Sequence, residues 1–146
     1  MTHKVELVDF EPNHLYDVLD EMEVENLSAN MPIPQYIEAV RGQNTKTITV
    51  DGKAILVGGT LKIWEGRSMA WAFVAPEASD HALKVTRLAR KFLKRVPGMV
   101  EGSACVEHDT SLRFLQVLGF GNPAYREQYG PDGSDHICFS MVNGVH

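Results

Sequence analysis

The chain has little with which to hold a metal or a disulfide framework. Its two cysteines, Cys105 and Cys138, show neither a CxxC spacing nor a Cys/His pattern, and they sit in apolar, strand-like surroundings that suit small buried thiols. Its six histidines form no i, i+4 pair, so no metal site is expected. No apolar run approaches the roughly 20 residues of a membrane-spanning helix. The first residues, MTHKVELVDFE, carry charges where a secretory signal would be apolar. A reducing cytoplasm without membrane contact is therefore the expected setting. Positive charge is short as well: 14 Lys and Arg face 19 Asp and Glu, a formal net charge of −5, so the overall field gives no attraction for nucleic acid. Aromatic residues make up 8% of the chain, and Trp64, Trp71 and Phe73, not interleaved with cations, read as core or cleft wall.

What is present is ordinary for a globular fold: 44% hydrophobic and 23% charged residues over 146 positions, without repeat, linker or low-complexity tract. One domain spanning 1–146 is the simplest organisation. Lys4 to Phe10 reads as a first strand. After Pro12, Leu15, Val18, Leu19 and Met22 recur at helical spacing. Pro32 and Pro34 punctuate a loop before a short helical pattern in Tyr36, Ile37 and Val40 that ends near Gly42. From Thr45 the period changes to that of strands. Asp51-Gly52 is a strong type I′ hairpin signal, and Glu65-Gly66 marks a second turn, giving three successive antiparallel strands that end with Ser68 to Val74. Gly58 and Gly59, inside the middle strand, call for a bulge or a close backbone approach.

Ser79 reads as the N-cap of a helix whose apolar face is Ala82, Val85, Ala89, Phe92 and Val96, and which ends at Pro97-Gly98. Its other face is basic, with Lys84, Arg87, Arg90, Lys91, Lys94 and Arg95: a solvated surface, a contact for a cofactor phosphate, or a contact for an acidic protein. Val100 to Val106 follows as a strand, parallel to Ser68–Val74 if the two are neighbours, because a helix joins them. The amphipathic run TSLRFLQVLGF, Thr110 to Phe120, then stops at Gly119, with Asp109 or Thr110 as its cap. Pro123–Tyr129 and His136–Val142 read as a closing strand pair around Gly130-Pro131-Asp132-Gly133. Tyr125 and Tyr129 belong to that hairpin, as caps of a sheet edge or as substitute acids reaching the cleft. The sum is an α/β chain with a mixed sheet and helices on both faces.

This order of elements, with the strand end Val74-Ala75-Pro76-Glu77 and the helix stop Leu118-Gly119-Phe120, resembles the GNAT (acyl-CoA N-acyltransferase) superfamily over essentially the whole chain. TSLRFLQVLGF, the YGPDG turn and WAFVAPEASDH more narrowly resemble GNAT-like proteins of tailed bacteriophages, some related to podovirus internal virion proteins. The resemblance implies a GNAT-like fold whose sheet splays between Ser68–Val74 and Val100–Val106, with a cleft there for acetyl-CoA or CoA. The acceptor would be a small-molecule or protein amine. In the family a glycine-rich loop takes the pyrophosphate on its backbone N–H groups. Here that loop falls on Ser79, Asp80, Ala82 and Lys84, which with Phe73, Val74 and His81 form the expected cofactor-binding set. Glu77 and Asp80 would repel a phosphate, whereas Lys84, Arg87 or His81 would attract one. The tyrosine that often protonates the leaving thiolate is replaced by Leu115. His108 falls where an asparagine is usual, and Glu65 is the carboxylate nearest the fourth strand, so these two are the expected catalytic residues. A degenerate loop implies weak or altered activity. The alternative is a non-catalytic descendant that contacts a phage virion or host protein, in host cytoplasm or virion.

Overall fold

Two tight turns set the register of the middle of the chain. Asp51 and Gly52 both take positive φ (49° and 86°), as a type I′ hairpin requires, and Gly66 (83°) closes the next turn. A computed structural model describes residues 3–19, 44–130 and 133–144. It contains β1 (Val5–Asp9), α1 (Asn13–Val18), β2 (Asn44–Val50), β3 (Lys53–Trp64), β4 (Arg67–Val74), a 3₁₀ turn (Pro76–His81), α2 (Ala82–Leu93), β5 (Gly98–Cys105), α3 (Asp109–Val117), β6 (Gly121–Arg126) and β7 (His136–Asn143). The strands form one sheet in the order β1-β2-β3-β4-β5-β7-β6. β4 and β5 are parallel, while β1/β2, β2/β3, β5/β7 and β6/β7 are antiparallel. The mixed sheet thus agrees with the sequence reading, and the α2 crossover accounts for its parallel pair.

The chain divides into two compact units, Met1–Leu61 with Trp71–Leu88, and Lys62–Ala70 with Ala89–His146. In the first, Leu15, Val18, Leu19, Ala54, Val57 and Ala75 form the core, with Phe10, Trp71 and Phe73 packed against it. His14 is buried beside them. Its Nδ1 accepts from the Glu11 N–H (3.0 Å), which places its ring proton on Nε2, and the Thr47 hydroxyl lies 2.8 Å from the same nitrogen. The glycines of β3 answer to close approach: a β-carbon on Gly59 would lie 2.2 Å from the Asn44 carbonyl oxygen, and one on Gly58 2.8 Å from that of Trp71. The bulge lies elsewhere in the same strand, at Ile55, which has no partner in the register between Ile48↔Leu56 and Thr49↔Ala54.

In the second unit, Leu93, Val96, Val100, Leu118, Phe120 and Phe139 form the core. α3 ends in a Schellman motif. Gly119, at φ 106°, donates its N–H to Gln116 O (3.0 Å), and the Phe120 N–H reaches Leu115 O (3.1 Å). Leu115 and Phe120 lie over β5, where a β-carbon on Gly102 would come within 2.9 Å of Leu115 Cδ2. From β7, Asn143 Nδ2 donates to Leu93 O and Val96 O, both at 2.8 Å, and so satisfies two carbonyls at the carboxyl end of α2.

Several sequence expectations are corrected. Ser79 is not an N-cap: Pro76, with φ already fixed, starts a 3₁₀ turn, and the Ser79 hydroxyl donates back to Pro76 O (2.9 Å). Neither Asp109 nor Thr110 caps α3; His108 holds the N-cap position without a side-chain bond. β5 ends at Cys105 rather than Val106, and β6 ends at Arg126 rather than Tyr129 because the chain turns through Gln128 at φ 53°. Trp64 is neither core nor cleft wall; it is 59% exposed, with the Arg67 guanidinium 4.5 Å above its ring. Cys105 and Cys138 are free thiols, half-buried rather than buried. Met22, Pro32, Pro34, the helix expected at Tyr36–Val40 with its end near Gly42, and Pro131-Asp132 lie outside the described residues.

Candidate functional site

The end of β4, the 3₁₀ turn and the start of α2 place Phe73, Val74, Ser79, Asp80, His81, Ala82 and Lys84 along one continuous stretch of the first unit. Alternation along β4 turns Phe73 toward the core and leaves Ala72 and Val74 exposed. The turn changes where amide donors are free. Because Pro76–His81 is already helical and runs directly into α2, the free N–H groups belong to its first residues, not to Ser79–Lys84. Pro76 has none to give, and that of Ala78 bonds Ala75 O (3.0 Å). The surrounding charges are partly spoken for. Glu77 lies 3.5 Å from Lys53, and the His81 ring stands edge-on to His3 (5.4 Å), which itself bonds Asp51 at 2.6 Å. The hydrogen bond from His3 holds the Asp51 carboxyl below its ordinary range. Lys84 is exposed and has no carboxylate partner among the described residues.

In the second unit, β4 and β5 meet in the register Arg67↔Met99, Ser68↔Val100 and Met69↔Glu101. Gly98 permits the approach: its φ is 81°, and an added β-carbon would lie 2.3 Å from Gly66 O. Arg67 holds Glu101 with both prongs, Nε to Oε1 at 3.1 Å and Nη2 to Oε2 at 2.8 Å, and this bond raises its pKa further. On the same face of β5, Ser103 is exposed and pairs in register with Cys138 of β7, while Cys105 pairs with His136. Tyr129 is turned toward this face, its ring 5.8 Å from that of His136. Burial, then the Cys138 thiol, push its phenol pKa up, so that it keeps its proton through neutral pH. His136 Nδ1 is buried without a hydrogen-bond partner.

The two expected catalytic residues are not brought together. His108 is exposed at the start of α3 with no side-chain hydrogen bond among the described residues, and Glu65, in the β3–β4 turn, pairs with Lys62. The sequence reading missed the Arg67–Glu101 pair and the grouping of Tyr129 with Cys138 and His136. Their only sequence trace is alternation along β5 and β7, which puts Glu101, Ser103 and Cys105 on one face and His136 and Cys138 opposite them. Among the described residues no group of His, Cys, Asp and Glu could hold a metal ion, and no helix is long and apolar enough to cross a membrane.

No family model matches the sequence, and no curated protein is similar to it in sequence. Solved structures are similar in fold. A GNAT-family acetyltransferase from Bacillus anthracis superposes with a TM-score of 0.71 at 12% identity, covering 94% of each chain. The ribosomal-protein-S18-alanine N-acetyltransferase of Escherichia coli gives 0.67 at 15% identity, covering 98% of this chain and 96% of its own. A third, yncA from Salmonella typhimurium with its cofactor acetyl-CoA, gives 0.63 at 13%, covering 97% and 95%. The chain therefore has the GNAT acyltransferase fold.

Proposed function

We propose that the chain belongs to the GNAT superfamily and is an acyl-CoA-dependent N-acyltransferase with a degenerate phosphate loop and weak or altered activity. The observation that carries this reading is the likeness of fold to acetyltransferases over nearly the whole chain, one of them solved with acetyl-CoA. The residues fit such a cofactor in a changed way. Exposed Ala72 and Val74 leave the outer side of β4 open to the pantetheine arm, while a proline and a 3₁₀ turn remove the backbone donors of a glycine loop. Lys84 would hold the phosphates by charge in their place, with the His81 ring as a hydrogen-bond donor beside it. Bound acetyl-CoA would supply the thioester acyl group. His108, whose ring makes no side-chain hydrogen bond among the described residues, would take the proton from the acceptor ammonium, and Tyr129, which keeps its proton through neutral pH, would give one to the leaving thiolate. Glu65 is held by Lys62, which weakens its claim as a base.

Titration with acetyl-CoA and CoA tests the reading. Saturation at 100 times the dissociation constant stabilises a binder by about 2.7 kcal/mol, and no thermal shift at millimolar cofactor would sink the proposal. His108→Ala is expected to lower turnover and leave that shift intact; unchanged turnover removes His108 from the mechanism. A second reading, a non-catalytic phage protein acting in virion assembly or host-protein interaction, draws on the narrower motif resemblance and on Leu115, a side chain without a transferable proton packed over Gly102. Turnover of any amine with acetyl-CoA would exclude it.

A further inference from the structure

Among the described residues, some cations are paired and others, Arg113 and Arg126 included, are exposed without a carboxylate partner. Lys4, Lys46, Lys53, Lys62 and Arg67 each have a carboxylate within 4.0 Å. Arg87, Arg90, Lys91, Lys94 and Arg95, on α2 and the turn that ends it, are all exposed and have none among the described residues. At 100° per residue Arg87, Arg90, Lys91 and Lys94 project within an arc of about 100°, along about 10 Å, and Arg95 follows in the turn that ends the helix. They stand beside one another as like-charge pairs at i, i+3 (Arg87/Arg90, Lys91/Lys94) and i, i+4 (Arg87/Lys91, Arg90/Lys94). The helix dipole favours cations in the last turn only and does not account for Arg87. Among the described residues no carboxylate lies within 4.0 Å of these cations, although the chain carries 19 carboxylates against 14 cations.

We propose that this face of α2 docks an acidic protein segment, a run of four or five carboxylates in one short stretch of a partner. The arc and length match such a segment. A nucleic acid fits less well. The residues outside the segment Ala82–Arg95, which carries six cations, hold eight basic against nineteen acidic side chains and would repel a long polyanion. Phe92, the aromatic residue of the helix, packs into the core and is not available for stacking on bases. The docking is tested apart from acyl-CoA binding by leaving Lys84 and Arg87 unchanged and altering Arg90, Lys91, Lys94 and Arg95.

The test is fluorescence anisotropy of a labelled hexaglutamate peptide and of a short DNA duplex against the full chain at about 50 mM salt, where surface charges are little screened. The peptide is expected to bind, to weaken at least about tenfold in R90E/K91E/K94E/R95E, and to weaken also in the neutral R90Q/K91Q/K94Q/R95Q. Both variants are expected to keep the circular dichroism and the acetyl-CoA response of the parent, so failure here is distinguishable from failure of the acyltransferase reading. Absence of peptide binding, binding unchanged in the neutral variant, or tighter binding of the duplex overturns the proposal.

Discussion

Asp135 collects two bonds from the β6–β7 connection, the Tyr125 hydroxyl and the Gln128 N–H at 3.0 Å. The first and then the second hold its carboxyl below the ordinary range, and the same contact raises the Tyr125 phenol. The signs follow. A lowered carboxylate contributes stability above its unfolded pKa, and that contribution is lost as pH falls through the folded value; a raised phenol contributes below its ordinary pKa and loses that contribution as pH rises through the raised one. Asp135→Asn is therefore expected to flatten both the acid and the alkaline arms of a urea-midpoint profile, and unchanged arms would show that the contact is not formed in solution. At Gly59 the constraint is steric. Gly59→Ala would push a methyl into the Asn44 carbonyl and is expected to cost about 3 kcal/mol, the upper range for overpacking, read as a lower urea midpoint at constant slope. The sequence announced Gly59 as special because a strand interior rarely spends a glycine. It could not announce Asp135, whose partners are set by how the chain turns between two strands.

At the scale of elements, α2 is held against its own charges. Arg87→Glu would replace repulsion with attraction toward Lys84, Arg90 and Lys91, and is expected to raise stability by about 0.5–1 kcal/mol in chemical denaturation while weakening acidic-peptide docking. A loss of stability would mean that the arginine makes a contact the helix surface does not reveal. The Asn143 amide caps the far end of the same helix; Asn143→Ala leaves two carbonyls without that donor and is expected to cost about 1–3 kcal/mol. How much of each helix could be read from sequence depended on whether its signals were local. Gly119 ends α3 through bonds to residues three and five earlier, so its stop was plain in the sequence. The start of α2 was not, because Pro76 opens a 3₁₀ turn that takes Ser79 into its interior.

At the scale of the whole molecule, the excess of acid places the isoelectric point near 5.6, and solubility is expected to be lowest about there and to recover on either side, as turbidity against pH would record. The hairpin of β2 with β3 and the parallel pairing of β4 with β5 were legible because tight turns and the crossover rule leave few alternatives, whereas the place of β7 between β5 and β6 was not read from the sequence. The candidate site was legible only in part: Val74 to Lys84 are neighbours in sequence, whereas Arg67 and Glu101 stand 34 residues apart and meet only once β4 lies beside β5. The same separation governs time as well as place. The bonds from Asn143 to the end of α2 span 47 and 50 residues, so the loop they close is long and its entropy must be met before they form. These side-chain bonds, unlike the local backbone bonds of the last turn, are expected to form late, after β7 docks on β5. Loss of the amide should leave the refolding rate almost untouched and speed unfolding, which makes this one side chain a latch on the lifetime of the native state.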